Sequence, residues 1–316
     1  MNPAAQPVHP TPHDLAALGW DNRVATLFTM FPNRIPGRVV RVDRIRYLVA
    51  TGHRQIDAQP GPLDDGSETG PPATGDWVAL AASSDARASV AAILPRRSAI
   101  KRLDPSAAGA RPEEQVLVAN LDLVLIVHAL DRPTQLPRLE RTLVMAWDSG
   151  AKPVLVLTKA DLLEGGVTGP AVAAALKEVA EIAPGVEVIA ASNVTGFGLE
   201  RVGGLVSSGA TMALIGESGS GKSTLINSLL DQDLQSTGAT RDRDGKGRHT
   251  TTSRELIVIP GRGVVIDTPG LRSIGLWNGR EGLAHAFPDI GDLAADCRFA
   301  DCRHETEPGC AVRAAL

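Results

Sequence analysis

The chain has 316 residues, a formal net charge of −4 and a pI near 6.0. This length fits two or slightly more domains with a sizeable core, and an aromatic fraction of only 3% means that aliphatic side chains must fill that core. The slightly acidic balance argues against a protein that binds nucleic acid through its overall charge, so any such binding must come from local basic patches.

Residues 1–33 form a predicted N-terminal extension. Its start is rich in proline, and His13 to Phe31 has a weakly helical pattern. The segment lacks a basic region followed by an apolar core, so it does not read as a signal peptide. No apolar stretch in the chain is long enough to span a membrane. We therefore expect a cytoplasmic protein without membrane contact.

Residues 34–103 carry the pattern of a small β-barrel. Short apolar runs separated by polar turns predict strands at Arg38–Val42, Tyr47–Ala50, Gly75–Leu80 and Ser89–Leu94. A barrel of five such strands is the OB-fold, which binds oligonucleotides. Asp57 to Thr74, rich in glycine, proline and acids, is predicted to be a long exposed loop.

Two basic stripes accompany this region. The first has six arginines against one acid, namely Arg34, Arg38, Arg41, Arg44, Arg46 and Arg54. The second has five cations against one acid, namely Arg96, Arg97, Lys101, Arg102 and Arg111. An RNA phosphate backbone is the expected target. The alternative interpretation is a solvated, arginine-rich strand face.

Residues 112–275 are predicted to be an α/β P-loop domain whose first buried strand is Leu121 to Val127. The apolar run Val154–Leu157 ends at Thr158, Lys159, Ala160 and Asp161, which match the guanine-reading pattern [NT]KxD. Asp161 can accept hydrogen bonds from the guanine N1–H and exocyclic amine, and Lys159 would lie along the base and ribose. A lone TKAD is more often a solvated turn. Ser192, within Ala191-Ser192-Asn193, is a weaker prediction for the loop that closes on the guanine carbonyl.

A phosphate-binding loop follows the apolar run Met212–Ile215 and precedes an amphipathic helix. The residues that fit GxxxxGK[ST] are Gly216, Glu217, Ser218, Gly219, Ser220, Gly221, Lys222 and Ser223, with Thr224 next. Its glycines let backbone N–H groups turn inward around phosphates at the helix N-terminus. Lys222 is predicted to reach the β- and γ-phosphates, and the Ser223 hydroxyl to ligate Mg²⁺.

A predicted switch and a DxxG element complete the nucleotide site. The polar segment Gly247–Thr252 is predicted to be a switch whose Thr251 caps Mg²⁺ and the γ-phosphate. Asp267, after the buried run Val264–Ile266, is expected to hold the magnesium shell, and the Gly270 N–H to contact the γ-phosphate.

The residue after DxxG is Leu271, which cannot orient a water as glutamine does in Ras-like enzymes. Intrinsic hydrolysis is therefore predicted to be slow. His249, within the switch, is the candidate catalytic residue that positions the attacking water. The alternative is that His249 only packs the ordered loop.

The order of these motifs is the most informative feature. Ordinary GTPases place the guanine-reading element after DxxG. Here Thr158–Asp161 lies well before both the P-loop and DxxG. All the parts are present in a rotated order, which indicates a circularly permuted GTPase.

The C-terminal residues 276–316 contain all three cysteines of the chain. Cys297, Cys302, His304 and Cys310 fall within fourteen residues. Tetrahedral Zn²⁺ is commonly held by Cys₃His, and four filled positions favour a structural role. In a reducing compartment a metal explains these cysteines better than disulfides do.

Together these features resemble the RsgA (YjeQ) family of small-ribosomal-subunit biogenesis GTPases, from about Arg34 to Val312. The resemblance implies a multidomain protein with an N-terminal OB-fold β-barrel, a central permuted α/β GTPase domain and a small α-helical zinc-binding subdomain. It implies GTP or GDP, Mg²⁺ and one structural Zn²⁺ as cofactors. It also implies GTP hydrolysis stimulated by the small ribosomal subunit during late maturation, with rRNA contacts. Nothing suggests a coiled coil or an obligate apolar interface, so a monomer is expected.

Two other functions stay open at this point. One is an ATP-using P-loop enzyme in which TKAD is accidental. The other is an RNA-binding scaffold in which the nucleotide is only structural. Leu271 favours the scaffold, whereas Lys222 and Asp267 favour catalysis.

Overall fold

The computed structural model describes residues 15–52, 54–81, 88–104, 113–237, 254–268, 282–283 and 286–315. The strands in these ranges are β1 Ile35–Asp43, β2 Arg46–Ala50, β3 Gln55–Pro60, β4 Trp77–Ala81, β5 Ala88–Ile93, β6 Ala99–Asp104, β7 Glu113–Ala119, β8 Leu123–Ala129, β9 Lys152–Thr158, β10 Glu187–Ala190, β11 Thr211–Gly216, β12 Glu255–Val258 and β13 Val264–Asp267. The α-helices are α1 Asn22–Phe28, α2 Leu136–Asp148, α3 Pro170–Glu181, α4 Leu199–Gly204, α5 Lys222–Thr237, α6 Pro288–Ala295 and α7 Ala311–Ala314. Among the described residues no helix is both long and apolar enough to cross a membrane.

Strands β1 to β5 close into a five-stranded barrel. The strands pair in the order β1-β2-β3-β5-β4, and β4 pairs back with β1. The β3–β5 pair is parallel and the other four pairs are antiparallel. Apolar side chains fill the interior: Val39, Tyr47, Val49, Ala58, Val78, Leu80, Ala88, Val90 and Ile93. The predicted N-terminal barrel is confirmed.

The prediction of a loop from Asp57 to Thr74 is wrong at both ends. Asp57 belongs to β3, the barrel strand that the sequence pattern did not indicate. Within β3 only Ala58 is buried, so the strand has no apolar run or clear alternation to signal it. At the other end Thr74 is buried and forms a parallel bridge with Val118 of β7.

The basic stripes are largely neutralised within the fold. Their members pair with acids as follows: Arg34 with Asp64, Arg41 with Asp43 and Glu255, Arg96 with Asp76, Arg97 with Asp122, and Lys101 with Glu114. Arg38 is buried. Arg44, Arg46 and Arg54 stay exposed at the β1–β2 turn and before β3. Arg102 of β6 is also exposed and donates to Gln115, and Arg111 lies outside the described residues. Much of the positive charge of the two predicted stripes is therefore paired with acids in the fold.

The second half of the chain builds a mostly parallel sheet in the order β10-β9-β8-β11-β13-β12. Only β12 runs antiparallel, next to β13. Apolar residues of α2 and α3 pack on one face, and those of α4 and α5 on the other, as in doubly wound folds. The permutation is visible in the topology, because β8, β9 and β10 precede the central strand β11 in the chain.

The barrel continues this sheet. Strand β1 pairs antiparallel with β12 where Arg41 faces Glu255, so barrel and parallel strands form one eleven-stranded sheet. The β6–β7 hairpin is the chain segment that leads from the barrel to β8.

Arg38 links three parts of the fold from a fully buried position. Its guanidinium donates to the carbonyl oxygens of Leu18, Gly75 (3.2 Å) and Asn120 (3.3 Å) and to the Thr211 hydroxyl (2.8 Å). It also lies 5.1 Å from the ring centre of Trp77. Burial lowers the pKa of Arg38 to about 9, so the side chain remains charged at neutral pH.

We expect Arg38→Met to lower the free energy of unfolding by about 3 to 5 kcal/mol, because several buried acceptors lose their donor at once. Urea unfolding followed by circular dichroism measures this change. The control Arg46→Met removes an exposed arginine of the same barrel and should stay within about 0.5 kcal/mol of the parent. Equal losses for both variants would contradict a linking role for Arg38.

Candidate nucleotide site and metal centre

The P-loop folds at the carboxyl end of β11, before helix α5. Gly216 has no room for a side chain, because a Cβ there would stand 2.2 Å from the Val127 carbonyl oxygen. Gly219 and Gly221 have φ values of 76° and 90°, a conformation that only glycine adopts readily. The Lys222 ammonium donates to the carbonyl oxygens of Gly216 (2.8 Å) and Glu217 (2.6 Å). The loop therefore curls around its own lysine at a helix N-terminus, the geometry that binds phosphate.

The guanine-reading element contacts the P-loop directly. The buried Thr158 hydroxyl donates to the Ser220 carbonyl oxygen at 2.6 Å. Lys159 takes a left-handed backbone conformation with φ 60°, and the Ala160 N–H donates to the Ala191 carbonyl oxygen at 3.1 Å. Asp161 is half-buried. The carboxyl ends of β9, β10 and β11 thus meet at one sheet edge, where ligands of open α/β sheets bind.

The Ser192 side chain stabilises the turn in which it lies. It is fully buried, and its hydroxyl oxygen accepts hydrogen bonds from the N–H groups of Val194 (3.2 Å) and Thr195 (3.1 Å). The neighbouring Asn193 accepts a hydrogen bond from the Ser228 hydroxyl of α5 at 3.4 Å. The predicted base-closing loop therefore lies beside the P-loop helix.

Asp267 ends β13, next to the P-loop strand. It lies in register with Leu214 of β11, and the adjacent Thr268 hydroxyl donates to the Leu214 carbonyl oxygen. Ser223 and Thr224 lie exposed in the first turn of α5. His249, Thr251 and Gly270 fall outside the described residues, as do the rest of the predicted switch and Leu271.

A network of charged side chains that the sequence analysis missed borders this site. The Lys159 ammonium lies 2.5 Å from the Asp131 carboxylate, and Asp131 also accepts from the Arg132 guanidinium at 3.0 Å. Hydrogen bonds from Arg132 and then Lys159 hold the pKa of Asp131 at about 2. Glu217 of the P-loop pairs with Arg132 at 3.3 Å and with Arg138 of α2.

A sequence signal for part of this network existed. Asp131 and Arg132 lie two and three residues after the end of the apolar strand β8, and the end of β8 lies beside those of β9 and β11. Strand-end position marks ligand sites in such sheets. Arg138 carries no comparable mark, because an arginine in an amphipathic helix is ordinarily a solvated residue.

The four predicted metal ligands converge. The ligand atoms of Cys297, Cys302, His304 and Cys310 all lie within 4.8 Å of one another. The His304 Nδ1 is 3.3 Å from the Cys310 sulfur and 3.6 Å from the Cys297 sulfur. Three sulfurs and one imidazole at this separation form a possible Cys₃His metal site.

Backbone groups around the cluster favour ionised sulfur at one position. Burial raises the pKa of the Cys297 thiol, but hydrogen bonds from the N–H groups of Val312 and Ala311 and from the neighbouring cysteines together leave that pKa below its ordinary value. Burial raises the pKa of Cys302 to about 11. Crowded thiols of this kind ionise together when a cation lies between them, so the donor set fits a divalent metal.

Comparison with known proteins agrees with this architecture. A barrel joined to a P-loop sheet whose strands follow one another in a permuted order is the architecture of a circularly permuted GTPase. A family model described as RsgA GTPase matches residues 93–277. The small ribosomal subunit biogenesis GTPase RsgA of Streptomyces avermitilis is 45% identical over 306 residues, which cover 96% of this chain and 80% of that protein. The protein of the same name from Streptomyces coelicolor is 44% identical over 304 residues, covering 96% of this chain and 81% of that protein. The chain belongs to the RsgA GTPase family and is a GTP-hydrolysing enzyme.

Solved structures support the same fold. YjeQ from Thermotoga maritima matches with a TM-score of 0.63 and 25% identity, covering 89% of this chain and 91% of that one. YloQ, a circularly permuted GTPase, matches with a TM-score of 0.58 and 24% identity, over 90% and 88% of the two chains. Membership of the family implies a guanine nucleotide and Mg²⁺ as cofactors.

We expect Gly216→Ala to weaken guanine-nucleotide binding by at least about tenfold, because its Cβ would displace the Val127 backbone or the P-loop itself. Titration with a fluorescent GDP analogue measures the affinity. Gly204→Ala is the matched control, since a Cβ at the end of α4 meets nothing within 4 Å. Similar affinities for both variants would contradict the tight fit at Gly216.

Proposed function

We propose that this GTPase assists late maturation of the small ribosomal subunit and hydrolyses GTP to GDP and phosphate when the subunit stimulates it. One observation carries the proposal: the 45% identity to a small ribosomal subunit biogenesis GTPase extends over 96% of this chain. A match of this length extends over both the barrel and the nucleotide site. The proposed enzyme is a cytoplasmic monomer.

In this proposal the nucleotide is held at the shared edge of β9, β10 and β11. Asp161 reads the guanine, Lys159 lies along base and ribose, and the backbone of the loop at Ser192 closes on the base. Lys222 contacts the β- and γ-phosphates, supported by its place at the centre of the P-loop. The remaining P-loop contacts come from Gly216, Glu217, Ser218, Gly219, Ser220, Gly221, Ser223 and Thr224, with Thr158 behind them.

The proposed hydrolytic machinery combines these groups with the switch segments. Ser223 and Thr251 would ligate Mg²⁺ and Asp267 would hold its hydration shell, and the bound ion would supply charge neutralisation at the phosphates. The Gly270 N–H would contact the γ-phosphate. His249 would orient the attacking water when the ribosomal subunit is bound.

The proposed rRNA-binding surface lies on the barrel. Arg46 and Arg54 border an open cavity of about 720 Å³ formed by β2, β3 and the turn before β2. Ile45, 73% exposed, stands at that turn beside Arg44. Exposed cations around an apolar side chain suit phosphate and base contacts together.

The proposed division of the chain has an N-terminal extension at 1–33 and an OB domain at 34–103. The GTPase domain covers 112–275, and the zinc subdomain covers 276–316. We propose Zn²⁺ for the four-ligand cluster, because three cysteines and one histidine are its preferred structural set.

Steady-state hydrolysis tests the function. We expect slow GTP turnover that rises at least about tenfold with purified small ribosomal subunits, and little ATP turnover under either condition. Equal use of ATP would support the alternative P-loop enzyme. Tight GTP binding without turnover, even with subunits, would support the scaffold with a structural nucleotide.

We expect His249→Ala to abolish the stimulated rate while GTP affinity stays within about twofold, because a water-orienting side chain acts in the transition state. The same hydrolysis assay, with nucleotide titration alongside, separates the two effects. Normal stimulated turnover in the variant would show that His249 only packs its segment.

Native mass spectrometry should find one zinc ion per chain. Cys302→Ser should lose that ion, because a serine hydroxyl is a poor ligand for zinc. The control Asp301→Asn changes an exposed neighbouring residue and should keep it. Metal retained by Cys302→Ser would exclude the sulfur as a ligand.

A further inference from the structure

We propose that Arg138 of α2 and Arg132 after β8 cancel the charge of Glu217, and that this cancellation sets the affinity of the P-loop for the nucleotide phosphates. The inference rests on the proposed nucleotide site. Two arginines outside the P-loop would thereby influence phosphate binding through Glu217, without contacting the nucleotide themselves.

Glu217 places a negative charge inside a loop built for anions. It is the second residue of the P-loop, and its own carbonyl oxygen accepts a hydrogen bond from Lys222 at 2.6 Å. Its side chain is 25% exposed. A carboxylate so close to bound phosphates repels them, and the repulsion is strong where water is partly excluded.

Two guanidinium groups hold the Glu217 carboxylate from opposite oxygens. Arg138 pairs with one oxygen, and Arg132 lies 3.3 Å from the other. Arg132 also lies against the loop itself, since its Nη2 is 3.6 Å from the position that a Cβ of Gly219 would take. The negative charge of the carboxylate is therefore matched by guanidinium groups on both of its oxygens.

The network extends to the base-reading element. Arg132 shares Asp131 with Lys159, so the two acids of this cluster are bridged by three cations. The buried His128 adds no charge nearby at neutral pH, because burial lowers its pKa. The cluster as a whole carries one excess positive charge beside the loop, which favours a polyanionic ligand.

Arg138 is the better residue to test. Arg132 also pairs with Asp131, whereas Arg138 pairs with Glu217 and is partly exposed on helix α2. Replacing Arg138 by glutamine leaves the charge of Glu217 only partly matched. Replacing Glu217 by glutamine as well removes the charge that needs matching.

The test is a double-mutant cycle in the full-length protein, with fluorescent GDP and GTP analogues as probes. We expect Arg138→Gln to weaken binding about tenfold, and GTP to lose more than GDP because it carries more phosphate charge. Glu217→Gln should bind more tightly than the parent, because it removes the repelling charge while both arginines remain. The double variant loses one charge of each sign and should return to within about twofold of the parent.

Arg141→Gln is the matched control. Arg141 is exposed on the same helix, and its replacement removes the same charge from the protein. Its affinity should stay within about twofold of the parent. In about 1 M KCl, where charges are screened beyond about 3 Å, the Arg138→Gln effect should shrink to less than about threefold.

Two outcomes overturn the inference. Unchanged affinity in Arg138→Gln would show that the charge of Glu217 does not reach the phosphates. A double variant as weak as Arg138→Gln would show that Arg138 acts by packing or by touching the nucleotide. If the parent protein binds no guanine nucleotide, the proposed function itself fails, so the two failures are distinguishable.

Discussion

The fold depends on one buried cation. Arg38 starts in barrel strand β1, and its guanidinium ends among acceptors from the N-terminal segment, the barrel and the parallel sheet. Water cannot replace these hydrogen bonds at a fully buried site, so the three segments must stay together to satisfy one side chain. The Trp77 ring beneath the guanidinium adds a cation–π contact. The barrel is thereby oriented with respect to the sheet that carries the nucleotide site.

The nucleotide site depends on the order of the strands in the parallel sheet. The P-loop, the predicted guanine-reading turn and Asp267 lie together at the carboxyl ends of parallel strands, although their order in the chain is rotated. Strand order in space, not in sequence, determines which groups surround a ligand. A permuted chain can therefore preserve the arrangement of a GTPase site. Thr158 shows this directly, because it donates to the later Ser220 at 2.6 Å.

The sequence supports prediction where local pattern decides structure. Apolar runs and glycines predicted the P-loop and the strands beside it, and the spacing of three cysteines and one histidine predicted the C-terminal cluster. Pattern failed at β3, whose single buried side chain is Ala58, and at the basic stripes, where an arginine in a salt bridge reads like a free one. Arg38 and Arg138 could not be recognised for the same reason, because their partners lie far away in sequence. Long-range electrostatics leaves no local trace.

The pairing of Arg41 in β1 with Glu255 in β12 affects the outer edge of the parallel sheet. Strand β12 would otherwise be the outer edge of the parallel sheet, with backbone groups free to pair with another chain. Barrel strand β1 occupies part of that edge, so the barrel also shields the GTPase sheet from edge-to-edge association.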